Sequence, residues 1–216
     1  MKTIKLKESQ SLIEYLKKEC DFLPQQTCIY SDQSVNEQND FSVSYLYKDI
    51  LCKEDSWKFM MLALCSIVGL LDRNRIKAMI KWPNLVYVND LEIARVSIDV
   101  IEQNEFKGII LTVNLNMNQG HKNICMKDMT KKTYKKNILV TGLTTFLNIY
   151  DNLYHTNQFD KILDYVHDIS YLKDKKVKYL NYGFVSFIKI DKDGILSFVD
   201  EKGTNHQQHI DEIKEI

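Results

Sequence analysis

Glycine and proline are scarce in this chain, seven and two among 216 residues, and neither forms a pattern known for holding phosphate. No G-x-x-x-x-G-K-[S/T] run occurs, which removes the P-loop enzymes, and no G-x-S-x-G elbow occurs, which removes the common serine hydrolases. An excess of either charge is also missing: 29 Lys and Arg balance 29 Asp and Glu, so a basic surface for nucleic acid is not expected. The five cysteines, Cys20, Cys28, Cys52, Cys65 and Cys125, show no C-x-x-C spacing. That argues against a zinc ribbon or a disulfide framework and for reduced thiols in a cytoplasmic setting. The opening MKTIKLKESQ has no apolar core of a signal peptide. The longest apolar run, residues 59–71, is broken by Cys65, Ser66 and Gly69 and is too short for a bilayer, so it predicts a buried helix and no membrane partner. Internal repeats and low-complexity tracts are absent as well.

What is present alternates between the helical period and the strand period. Residues 11–20, SLIEYLKKEC, place Leu12, Ile13 and Leu16 opposite Glu14, Lys17 and Lys18, an amphipathic helix suited to packing on a sheet. Pro24 and the polar residues after it close that helix. Strands are predicted over 28–31 and 41–47, joined by DQSVNEQND, a polar connection without glycine. Ser56 is placed as the cap of a helix over 57–71 that is apolar on nearly every side, the expected centre of the core. A strand over 78–82 leads into a hairpin, and 107–117 forms another strand. In the latter, Ile109, Leu111, Val113, Leu115 and Met117 alternate with Ile110, Thr112, Asn114 and Asn116. One face is apolar and the other turns polar toward its end, as where a strand leaves a core and enters a site. Residues 120–136 read as a surface loop, followed by helices over 141–154 and 160–171. Beyond Asp174 the pattern changes to short strands over 177–182, 184–190 and 195–199 and a last polar one to 210. Such a module buries little by itself and is expected to lean on the rest.

The stretch with a chemical message is 81–99, KWPNLVYVNDLEIARVSID. Val86 and Val88 alternate with Tyr87, then Ala94, Val96 and Ile98 with Arg95, Ser97 and Asp99, and Asn89-Asp90 between them is a hairpin turn signal. Pro83 fixes an extended kink before the hairpin and sets the directions of Lys81 and Asn84. Lys-Trp-Pro-Asn, an aliphatic-Tyr-aliphatic strand, a polar turn and Ile-Ala-x-Val together resemble the central motif of the biotin–protein ligases, which reads KWPND, a short strand, then K-(L/I)-(A/S/C)-G-I. Those enzymes join biotin to ATP and pass the biotinyl group from the adenylate to a carrier lysine. The C-terminal KIDKDGILSF and HIDEI resemble the SH3-like module of the bacterial ligases.

The resemblance implies an α/β (α+β) fold: a mixed sheet backed by helices over residues 1–174 and an SH3-like β-barrel over 175–216. It implies biotin and ATP with magnesium as substrates and a biotin-carrier domain of a carboxylase as partner, in a monomer or homodimer. Lys81 matches the catalytic lysine that contacts the activated carbonyl and phosphate. Gln33 matches the glutamine near the biotin ureido group, and Trp82, Asn84, Ala94, Arg95 and Asn116 fall on positions that line the substrate. A vitamin-sized cavity is expected beside Lys81, between sheet and helices. Three residues depart from the motif: Leu85 replaces the aspartate, Glu92 the lysine and Arg95 the glycine. The family's Gly/Arg-rich phosphate loop is degenerate, with Asn36, Glu37 and Gln38 where Gly-Arg-Gly stands, and Thr112 and Asn114 replace two further glycines.

Plainer readings stand beside these. Lys81 is equally a solvated edge lysine lying on an indole, Trp82 a packing residue, and Gln33 and Asn116 strand-end caps. Arg95 either supplies the charge that the loop has lost or fills the pocket. His206 and His209 are spaced for a metal but lack a third ligand nearby, so no metal site is expected. Two functions follow: an active, divergent biotin–protein ligase, or a non-catalytic homologue (a pseudoenzyme) that binds a carrier domain, a small acid or a ligase subunit.

Overall fold

The computed structural model describes residues 1–6, 11–31, 40–48, 55–103, 106–119 and 124–209. Seven strands form the main sheet: β1 (Lys2–Leu6), β2 (Gln26–Ser31), β3 (Phe41–Lys48), β4 (Met79–Lys81), β5 (Leu85–Val88), β6 (Leu91–Gln103) and β7 (Phe106–Leu115), in the order β1-β2-β3-β7-β6-β5-β4. β1 pairs with β2 in parallel and the other neighbours are antiparallel, so the sheet is mixed.

Period two decides what each face carries. Phe41, Val43, Tyr45 and Tyr47 of β3, Ala94 and Val96 of β6, and Ile109, Leu111, Val113 and Leu115 of β7 join one core cluster with three helices. These are α2 (Ser56–Arg73), α4 (Lys136–His155) and α5 (Phe159–Asp168). α2 is the centre of that layer, and twelve of its residues are buried. It crosses α4 closely: a Cβ on Gly69 would lie 2.8 Å from Phe146 Cδ1, and one on Gly142 would lie 2.7 Å from Leu70 Cδ1. α1 (Leu12–Glu19) packs on the opposite face, where Leu12, Leu16 and Cys20 meet Ile29, Leu46, Ile101 and Ile110. Lys17 Nζ reaches Asp99 Oδ1 at 2.9 Å. α1 thus covers only the end of this face where its strand residues are aliphatic.

Several expectations shift. Ser56 is the first residue of α2, not its cap; Asp55 precedes it and gives its carboxylate to Lys58 Nζ at 2.6 Å. The loop after β7 contains α3 (Met126–Thr130), whose start is closed by Cys125 and Asp128, two side chains without a helical period to announce them. The hairpin turn holds as read, with φ of 50° at Asn89 and 62° at Asp90, the left-handed pair of a type I′ turn. Four of the cysteines, Cys20, Cys28, Cys65 and Cys125, are buried free thiols.

A second, antiparallel sheet of β8 (Lys176–Lys178), β9 (Phe184–Ile190), β10 (Ile195–Asp200) and β11 (Asn205–His209) follows, in the order β11-β10-β9-β8. β8 stops at Lys178 because Tyr179 N closes a turn on Gly183 O, making 180–182 a 3₁₀ turn rather than more strand. Tyr179, Val185, Leu196 and Phe198 of this unit belong to the same apolar cluster as α2 and α5. Asp200 fixes the β10–β11 turn: Oδ1 accepts from Lys202 N and Thr204 N, each at 2.9 Å, and Oδ2 lies 3.0 Å from His206 Nε2. The His206 hydrogen bond and then those backbone amides hold the Asp200 carboxyl down at about 2. A carboxyl depressed in the folded state stabilises above its ordinary 3.8, and this contribution fades as pH falls from there toward 2. Melting temperature against pH should therefore drop less steeply below pH 4 in Asp200→Asn than in wild type. Parallel acid limbs for the two proteins would refute the assignment.

Candidate functional site

Directly opposed residues of neighbouring strands point to the same side of a sheet. Lys81 opposes Leu85, Leu85 opposes Arg95, Arg95 opposes Asn114 and Asn114 opposes Ser42, so β4, β5, β6, β7 and β3 carry one continuous row. The next row on that side is Ser97, Thr112 and Ser44. Beyond it come Asp99, Ile110 and Leu46, and these are the positions that α1 covers. The end of this face that α1 does not reach is therefore a polar patch of serine, threonine and asparagine, in which Ser42, Ser44 and Thr112 are buried, with Lys81 and Arg95 at one side. It lies opposite the α2, α4 and α5 layer, on the α1 side of the sheet. Alternation defines two faces and does not say which one the helices take.

The half-buried Lys81 has its ammonium 5.1 Å from the centroid of the Tyr87 ring. Tyr87 rests on Tyr171 at 5.1 Å, and Lys175 Nζ lies 3.4 Å above Tyr171 and 3.5 Å from Asp90 Oδ1. No carboxylate of the described residues pairs with Lys81. Leu85, where the family motif has aspartate, leaves that charge uncompensated. A cleft of about 610 Å³ opens at the β4 edge on the far side of Tyr87, walled by Val68, Met79, Tyr87, Tyr165, Asp168 and Tyr171.

Arg95 lies on the same row, and its guanidinium forks onto Glu92, with Nε 3.1 Å from Oε1 and Nη2 3.0 Å from Oε2. Such a bidentate pair largely cancels both charges. Thr112 shares a 2.8 Å hydrogen bond with Ser44, and Asn114 accepts from Ser42 Oγ at 2.6 Å.

Four other predicted residues take framework positions. Asn84 donates from Nδ2 to Val96 O at 3.1 Å and accepts from Val96 N at 2.9 Å, tying the motif to β6. Trp82 is 4% exposed, packs in the main core and is joined to Pro83 by a cis bond. Ala94 is fully buried on the helix-facing side, away from Lys81 and Arg95. Asn116, also fully buried, donates from Nδ2 to Ile124 O at 3.1 Å, and its backbone joins Ile93 and Met126. Gln33, with Asn36, Glu37 and Gln38, lies outside the described residues. Sequence reasoning missed Tyr87, the seat of the Lys81 amine, although alternation along the hairpin already put both on one side.

No protein-family model and no curated protein sequence matches this chain. Solved structures do. The biotin protein ligase of Aquifex aeolicus in complex with biotin and ATP superposes with a TM-score of 0.76 at 15% identity, over 96% of this chain and 95% of that one. A biotin protein ligase-like protein of unknown function from a Silicibacter species gives 0.77 at 9% identity, over 97% and 94%. The biotin acetyl coenzyme A carboxylase synthetase of Helicobacter pylori with bound biotinylated ATP gives 0.60 at 14%, over 96% and 99%. Across nearly its whole length, then, this chain has the fold of the biotin protein ligases, a mixed seven-stranded sheet followed by a small antiparallel one.

Proposed function

We propose that this chain binds biotin, or an acid of its class, on the polar end of the sheet face and attaches it through an adenylate to a lysine of a biotin-carrier domain. The observation that carries the reading is the Lys81 ammonium, seated on Tyr87, unpaired with any carboxylate of the described residues and sharing a row with Arg95, Asn114 and Ser42. An uncompensated charge at a half-buried position is suited to an anion, because partial desolvation strengthens its field. Here that anion is the carboxylate of the acid and then the phosphate of the adenylate. Arg95 offers a second cation once its fork leaves Glu92. Asn84, Trp82, Ala94 and Asn116 hold the strands that carry these groups, and Gln33 is assigned to the acid's polar head by resemblance alone. ATP supplies the activating phosphoryl chemistry. In this reading magnesium is part of the nucleotide substrate. Among the described residues no helix is long and apolar enough to cross a membrane.

The alternative is a non-catalytic homologue that retains only binding, in which the Arg95–Glu92 fork and the hydrogen bonds of Thr112 with Ser44 and Asn114 with Ser42 stay closed. Incubation of the purified chain with labelled biotin, MgATP and a carrier domain separates the two. Label on the carrier is the expected result. Carrier binding without adenylate or transfer selects the second reading, and failure to bind biotin or carrier removes both.

A further inference from the structure

Asp40 stands two residues before Ser42, at the end of β3 where the polar row begins. Its carboxylate collects three successive backbone amides from the turn after β7: Oδ1 accepts from Met117 N at 2.6 Å, and Oδ2 from Asn118 N at 2.7 Å and Gln119 N at 3.2 Å. Consecutive amides that converge on one point form a nest with positive potential, the backbone arrangement that holds phosphates elsewhere. No lysine or arginine of the described residues pairs with Asp40, and the three amide dipoles face its charge.

The turn is also fixed by contacts that do not involve Asp40. Asn118 Nδ2 donates to Tyr134 O at 3.0 Å and its Oδ1 accepts from Tyr134 N at 2.8 Å. Lys127 N donates to Met117 O at 3.0 Å, and Asn116 is anchored to Ile93, Ile124 and Met126. The nest thus has its own scaffold. Asp40 and Asn118 are half-buried, Gln119 is exposed and Met117 is buried, so a dissolved anion would approach from the Asn118 and Gln119 side.

We infer that the amides of Met117, Asn118 and Gln119 are an oxyanion site for a phosphate group, and that Asp40 is a built-in occupant keeping it shut. The inference does not depend on biotin transfer. It assigns the site a ligand chemistry, a phosphate oxyanion either free or carried by a nucleotide, and makes Asp40 an autoinhibitory side chain.

Removing the carboxylate should convert the site into one that binds phosphate from solution. Melting temperatures of wild type, Asp40→Ala and Asp40→Ser would be recorded with inorganic phosphate, AMP or adenosine at constant ionic strength. Phosphate at ~20 mM is expected to raise both variants by about 3 °C, as for a ligand near ten times its dissociation constant, and to leave wild type unmoved. AMP is expected to do the same and adenosine to do nothing. A larger shift from AMP than from phosphate assigns a nucleotide ligand, and equal shifts assign the free oxyanion. Should the short variants not fold, Asp40→Asn keeps the shape and one acceptor oxygen, and phosphate should then move the amide resonances of Asn118 and Gln119 in that variant alone. No phosphate effect in any folded variant, or equal effects in variant and wild type, overturns the inference and leaves Asp40 as a plain clamp between β3 and the β7 turn.

Discussion

Lys81→Met is expected to lower formation of the biotinyl adenylate by at least about 100-fold while leaving the melting temperature within a degree or two of wild type. The magnitude follows from removing one positioned donor to a developing oxyanion, which costs about two to three orders of magnitude in rate. Stability is spared because the aliphatic stem of methionine retains the packing on Tyr87, and the lost cation–π contact at a half-exposed site is worth only about 0.5–1 kcal/mol. Methionine is preferable to alanine here, since it removes the charge and keeps the volume. Lys81→Arg keeps the charge on a longer, forked head, so it should retain part of the activity and a weakened affinity for biotin. Exchange of labelled pyrophosphate into ATP measures the first half-reaction without a carrier domain. If Lys81→Met exchanges pyrophosphate as fast as wild type, the amine over Tyr87 is a surface lysine and the assigned site is wrong.

How much of this was legible beforehand depends on how far apart the interacting residues lie in the chain. The hairpin from Lys81 to Asp99 could be read because its signals are local: alternation, the Asn89-Asp90 turn and the proline kink. The polar drift of β7 likewise marked Thr112 and Asn114, which hydrogen-bond to Ser44 and Ser42. What escaped needs long-range pairing. Asp40 meets amides 77 to 79 positions away, and nothing within the polar connection before β3 distinguishes it from Asp32. The closure of Arg95 on Glu92 was hidden for another reason. Residues three apart on a regular strand face opposite sides, and a register shift at Val86/Tyr87 on the neighbouring strand accompanies their meeting. Ser56 misled because residue type favours serine as a cap, whereas tertiary packing of Trp57 started the helix one residue earlier. The choice of face was decided by the helices, whose apolar stripes are long enough to cover one side and whose single partner on the other side, α1, has eight residues.

Trp82 sits in the motif and packs in the core, and its substitution should separate folding from binding. The indole is 4% exposed and borders a void of about 30 Å³ shared with Leu163 and Val166 of α5 and Phe187 and Leu196 of the second sheet. It therefore helps to join the two sheets through α5 while the neighbouring Lys81 points to the opposite face. Trp82→Ala is expected to destabilise by about 3–5 kcal/mol, since it removes a buried aromatic and enlarges a void that the rigid strand and helix around it cannot close. In a chain of this size that lowers the melting temperature on the order of 10 °C. Trp82→Phe, which keeps a ring in the same slot, should lose less than half as much. Biotin affinity per folded molecule, measured well below the lowered transition, should stay within about two-fold of wild type, because an element that only carries the site changes how often it is folded rather than what it contacts. If Trp82→Ala instead weakened biotin binding ten-fold with an unchanged transition, the indole would belong to the substrate pocket, and the ligand would have to be placed on the helix-facing side of the sheet.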